Sequence, residues 1–175
     1  MLITAITHAS ARDKEHNFRG LTEAGQSESV RAAERYRALT AGQTVPAVEW
    51  VLSSPKPRCL ETVLLFAKAL ANDQVETSSV EVDGGLAAGS IEGDELASLA
   101  ATGEVAHLLV SGHADLVKTL PESARLRAGA AGSGWFQTRP VLFQIEIEPG
   151  RPWSEATLNF CESLVDGAWR NLIES

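Results

Sequence analysis

Short β-branched apolar runs alternate with longer amphipathic stretches along most of this chain. Residues 2–7 (Leu-Ile-Thr-Ala-Ile-Thr) are almost uniformly apolar, as in a strand covered on both faces. After a polar stretch (residues 9–20), Leu21 and Thr22 open a helix with Thr22 as N-cap and Glu23 in the first turn; Ala32, Tyr36 and Leu39 mark its inner face, and Ala41-Gly42 stops it. Residues 48–52 read as a second strand. Ser54 and Pro55 then fit the N-cap and first helical position of a second helix, with Leu60, Val63, Leu64, Ala67, Leu70 and Ala71 as its buried stripe. A more polar strand spans 75–82, and a Gly-rich loop 83–93. A short helix covers 94–101, a strand 105–111, and another short helix 114–120, ended by Pro121.

Residues 122–133 read as a loop. Residues 141–147 alternate as a strand whose polar face (Leu142, Gln144, Glu146) places it at a sheet edge. Pro149-Gly150 turns the chain, Ser154 caps, and Leu158, Cys161, Val165, Ala168 and Leu172 recur at helical spacing to predict a C-terminal helix over 151–175. The whole, 1–175, is expected to be one domain: a three-layer α/β/α sandwich around a mostly parallel sheet.

Composition narrows the function. The net charge of −8 includes no basic block, which argues against a nucleic-acid groove or an anionic membrane surface. An anionic small ligand remains compatible, because a pocket can be locally positive on an acidic protein. No stretch approaches the length of a membrane span, and no basic-flanked leader precedes the first strand, so a cytoplasmic protein is expected. Cys59 and Cys161 are expected as buried free thiols. The acidic residues form no metal-type cluster, so no metal or other cofactor is expected.

The chemistry gathers at strand ends. His8 follows the first strand, His113 follows the strand at 105–111, Arg58 sits in the first turn of the second helix, and Arg19 lies in the loop before the first helix. In an open α/β sheet these points face one crevice beyond the carboxyl ends of the strands. Two imidazoles and two guanidiniums beside a helix N-terminus suit a dianion such as phosphate, and a neutral imidazole supplies a nucleophilic nitrogen. His16 and His107 read as structural or solvent-facing. The glycines of 129–134 lack the Lys-Ser/Thr of a phosphate loop, and Trp135 and Phe136 read as core or pocket wall.

Four segments carry a resemblance: Thr7-His8-Ala9; Leu21-Thr22-Glu23-Ala24-Gly25; Ser53-Ser54-Pro55-Lys56-Pro57-Arg58 continuing to Thr62; and Ser111-Gly112-His113. In order and spacing over residues 1–147 they resemble the motifs of the histidine phosphatase (phosphoglycerate mutase-like) superfamily, and most of all its short phosphohistidine phosphatase branch. The resemblance implies a metal-independent phosphatase acting on a small phosphoester or a protein phosphohistidine. His8 would be the phosphate-accepting nucleophile, Arg58 and Arg19 phosphoryl ligands, and His113 the second histidine. A carboxylate after the third strand would be the acid, with Asp83 and Glu92 both candidates. The chain departs from the pattern at Thr7, where the family carries an arginine that contacts the phosphoryl group. Losing such a donor costs on the order of 2.7–4 kcal/mol of transition-state stabilisation. Either Arg12 fills the vacancy from the same loop, or the chain is a catalytically inactive relative that binds a phosphorylated ligand or partner.

Overall fold

The computed structural model describes residues 1–11, 20–71, 80–82, 98, 102–113, 116 and 140–173. Arg12, Arg19, Asp83 and Glu92, and, apart from Ser98 and Leu116, the helices expected at 94–101 and 114–120, lie outside the described residues, as do the loop at 122–133 and Trp135 and Phe136.

Seven strands form one sheet: β1 (Leu2–Thr7), β2 (Trp50–Ser53), β3 (Val80–Val82), β4 (His107–Gly112), β5 (Val141–Glu146), β6 (Thr157–Val165) and β7 (Ala168–Asn171), in the order β3-β2-β4-β1-β5-β6-β7. The sheet is mixed. β3, β2, β4 and β1 run parallel, and β5, β6 and β7 extend it antiparallel. Between them lie the helices α1 (Glu23–Leu39) and α2 (Pro57–Ala71). Both the β1-to-β2 and the β2-to-β3 crossovers step the same way across the sheet. Right-handed crossovers therefore put α1 and α2 on one face, where they pack together.

Period-two alternation sorts the strand residues between two cores. Ile6, Val51, Leu109 and Leu142 meet Ala32, Ala33 and Tyr36 of α1 and Val63, Phe66 and Ala67 of α2. Ile3, Ala5, Leu52, Leu108, Val110, Phe143 and Ile145 point to the opposite face. Phe66 is fully buried, and its truncation to alanine would cost about 3–5 kcal/mol.

The cap at Thr22 forms as the sequence implies, its side chain accepting from the Gly25 amide at 3.0 Å. Other expectations need correction. α2 begins at Pro57, so Pro57 and not Pro55 takes the first helical position, and Ser54 stays in the loop. The helix's buried stripe is accordingly Cys59, Thr62, Val63, Phe66 and Ala67, while Leu60, Leu64 and Leu70 are only partly buried.

β5 is no edge strand: it lies between β1 and β6. Its polar Gln144 is buried and hydrogen-bonded within the protein, so it needs no water. The C-terminal helix is replaced by the β6–β7 hairpin. Asp166 (φ 50°) and Gly167 (φ 77°) form its two-residue turn, both in the left-handed conformation that a type I′ turn demands. Pairing with β5 overrides the helical spacing of Leu158, Cys161 and Val165, and a bulge at Asn159 shifts the register between Gln144 and Ile145. The hairpin is fastened to α1 by Arg35, whose Nε and Nη2 donate to the buried Glu162 carboxylate at 2.6 and 2.7 Å. That pairing raises the arginine's already high pKa.

Cys59 and Cys161 are buried and in no disulfide, and burial pushes the Cys161 thiol well above its usual range. Among the described residues no helix is long and apolar enough to cross a membrane.

Candidate active site

The carboxyl ends of β1, β2 and β4 share one edge because the three strands are parallel. The ladder runs on past the strands: the His8 amide donates to the Gly112 carbonyl at 2.9 Å and the Ser54 amide to the Ser111 carbonyl at 3.0 Å. His8, Ser54 and His113 are thus the first residues beyond the edge, side by side. The rings of His8 and His113 lie edge to face, with centroids 5.3 Å apart.

His8 is buried, and its Nδ1 sits 2.8 Å from the Ala9 carbonyl oxygen. A carbonyl can only accept, so Nδ1 carries the proton, and in the neutral ring the lone pair is on Nε2. The backbone that supplies this carbonyl is held on both sides. The Ala9 amide donates to Thr62 Oγ1 at 3.1 Å, and the Thr62 hydroxyl donates to the Arg58 carbonyl at 2.7 Å, which ties the His8 loop to the first turn of α2. On the other side, Ser10 is received by α1. Its carbonyl oxygen would lie 2.0 Å from a Cβ at position 25, so only glycine fits there.

His113 lies between Arg58 and Ser54. Arg58 Nη2 is 3.4 Å from Nδ1, and Ser54 Oγ is 3.3 Å from Nε2. A guanidinium only donates, so this contact uses the Nδ1 lone pair and leaves a proton on Nε2 for the serine. Cys59 Sγ is 3.8–4.0 Å from the two ring nitrogens of His113. Arg58 Nε is buried without a hydrogen-bond partner among the described residues. A fixed cation with an unmet donor beside two imidazoles is a locus for an anion.

Of the residues singled out from sequence, His8, Arg58 and His113 come together here; Arg12, Arg19, Asp83 and Glu92 are outside the described residues. Thr7 is buried, and its Oγ1 accepts from the Val141 amide at 2.8 Å, anchoring the start of β5. His107 is structural, as expected: buried at the opposite end of β4, with Nε2 2.9 Å from Thr4 Oγ1. Sequence reasoning missed Ser54 as a partner of His113 and Glu28 as a partner of Ser10. The first was read as a helix cap. The second carries no signal beyond its place one turn after Gly25.

No family model matches the chain, and no curated protein matches it in sequence. Solved structures do match it over nearly its whole length. The protein histidine phosphatase SixA, solved with tungstate, aligns over 93% of this chain and 97% of its own with a TM-score of 0.66 and 22% identity. A protein from Agrobacterium tumefaciens assigned as phosphohistidine phosphatase SixA aligns over 91% and 96% with a TM-score of 0.59 and 22% identity. A phosphoserine phosphatase variant from Entamoeba histolytica, solved with phosphoserine, aligns over 90% and 94% at a TM-score of 0.51 and 11% identity. The chain therefore has the fold of the histidine phosphatases.

Proposed function

We propose that this protein is a histidine phosphatase that acts on a small phosphoester or a protein phosphohistidine through a covalent phosphate on His8. The observation that carries this reading is the hydrogen bond from His8 Nδ1 to the Ala9 carbonyl, which places the lone pair of the neutral ring on Nε2. Nε2 forms the bond to phosphorus as the leaving oxygen or nitrogen departs with its electron pair. Water then displaces phosphate from His8 and restores the imidazole. Arg58 and His113 are suited to the charge that builds on the phosphoryl oxygens. The leaving group takes its proton from an acid, for which Asp83 and Glu92 are the candidates, and Arg19 and Arg12 are candidates to complete the anion site. The proposed steps call on no metal.

Thr7 supports a second reading. Its side chain is uncharged and bonded to the Val141 amide, so it supplies no guanidinium. On this reading the protein is an inactive relative that binds a phosphorylated ligand or partner. Hydrolysis of an aryl phosphate across pH, run on the wild type, His8→Ala and Thr7→Arg, separates the two. Turnover by the wild type that His8→Ala abolishes supports the enzyme. Activity seen only in Thr7→Arg supports the binder. Silence from all three contradicts the role given to His8.

A further inference from the structure

We infer that Glu28 is a positioning residue that acts on His8 through the peptide group joining Ala9 and Ser10. The inference rests on the proposed role of His8 and deepens it. The Ser10 amide donates to Glu28 Oε2 at 2.8 Å, and the Ser10 hydroxyl donates to Oε1 at 2.9 Å. That amide N–H and the Ala9 carbonyl are opposite ends of one planar peptide unit. A carboxylate therefore binds the N–H end while His8 Nδ1–H binds the oxygen end at 2.8 Å. Hydrogen bonds in series polarise one another, so an anion on the N–H makes the carbonyl oxygen a stronger acceptor for the imidazole proton. Many histidines are oriented by a carboxylate in direct contact, which fixes the tautomer and raises the basicity of the other nitrogen. Here the carboxylate stands one peptide away.

The next peptide, Ser10–Ala11, is held as well, which keeps the loop against α1. The Ser10 carbonyl accepts from the Thr22 amide at 3.0 Å and from the Thr22 hydroxyl at 3.1 Å, and the bare Cα of Gly25 lies against it. Glu28 follows Gly25 by three residues and so lies on the same face of α1. The titratable and charged groups around His8 among the described residues are His113 after β4, Arg58, Cys59 and Glu61 on α2, and Glu28 on α1. Arg58 meets His113, and Glu61 accepts from the Leu21 amide at 2.7 Å. The Glu28 carboxylate is coupled to His8 itself. It favours the positively charged ring, both in protonated His8 and in the ring carrying phosphate on Nε2 and a proton on Nδ1.

The test is a pH titration of the histidine-¹⁵N-labelled full chain by NMR, on wild type, Glu28→Gln and Ser10→Ala. In the wild type the neutral His8 ring should carry its proton on Nδ1. In Glu28→Gln, which keeps the size of the side chain and removes its charge, the midpoint for His8 should fall by about 0.5–1 pH unit. The acid limb of kcat/KM should move with it. Ser10→Ala keeps the backbone link to the carboxylate, and its midpoint should stay within about 0.2 unit of wild type. An unchanged His8 midpoint in folded Glu28→Gln overturns the inference. If that variant does not fold, Glu28→Asp, which withdraws the carboxylate, carries the same test: a downward shift supports the relay and no shift overturns it. The titration reads the resting protein, so a chain that hydrolyses nothing would sink the phosphatase reading and leave this result standing.

Discussion

Two polar clusters are buried along the same pair of strands, β1 and β4, and they are built on opposite terms. At the amino end, His107 Nδ1 donates to the Pro46 carbonyl at 2.9 Å, and its Nε2 accepts from the Thr4 hydroxyl at 2.9 Å. The Gln144 amide donates to Thr4 Oγ1 at 3.3 Å and to the Tyr36 hydroxyl at 3.2 Å, while its carbonyl accepts from Asn159 at 3.1 Å. Donors and acceptors match in sequence, and each of these bonds joins neutral groups. At the carboxyl end, the contacts of His113 with Ser54 and Arg58 are 3.3–3.4 Å long, a guanidinium is present, and its Nε has no partner among the described residues. A closed network contributes rigidity, whereas an open, charged one is arranged for a ligand. The same residue type, histidine at the end of an apolar strand, thus serves structure at one edge and, on the proposed function, chemistry at the other.

Removing Arg58 should widen this contrast most. Arg58→Ala is expected to lower kcat on an aryl phosphate by about 10²–10³. Its unfolding free energy in urea should stay within about 0.5 kcal/mol of wild type. Gln144→Leu should do the reverse. It takes the Gln144 donor from the buried Thr4 and Tyr36 hydroxyls and is expected to cost about 1–3 kcal/mol in urea unfolding, with kcat changed less than about threefold. A loss of activity on the scale of Arg58→Ala would show that the two clusters are coupled.

The smallest effect concerns pH. Burial, opposed by the Pro46 carbonyl and by Glu49, lowers the His107 pKa from its usual 6.5. The unfolded chain then binds a proton at a pH where the folded one does not. This contribution to stability is complete above the unfolded value of 6.5 and declines as pH falls below it toward the depressed folded value. Stability measured from pH 8 to pH 5 should fall more steeply in wild type than in a His107→Gln variant. Equal slopes would remove His107 from the account. Burial also raises the Tyr36 pKa, so the phenol stays protonated through this range.

Much of the parallel half was legible in the sequence. Its strands β1, β2 and β4 are short and almost wholly buried, and each ends at a residue whose chemistry announces the edge: His8, Ser53-Ser54, Gly112-His113. The antiparallel half was not, because two local signals pointed elsewhere. The polar face of β5 implied solvent, yet Gln144 finds protein partners that no spacing rule reveals. The spacing of Leu158, Cys161 and Val165 implied a helix, yet Asp166-Gly167 is a hairpin turn and β5 offered an edge to pair with. Within the site, His8 and Arg58 were visible as chemistry. Glu28 was invisible, because an exposed-face glutamate and one gripping Ser10 look alike until the loop is folded back on α1.

The most direct test of the central claim is to trap the covalent intermediate. Wild-type protein turning over an aryl phosphate, quenched in alkali and examined by peptide mass spectrometry and ³¹P NMR, should carry one phosphoryl group on Nε2 of His8. Phosphate on Nδ1 of His8, on another residue, or persisting in His8→Ala would contradict the account.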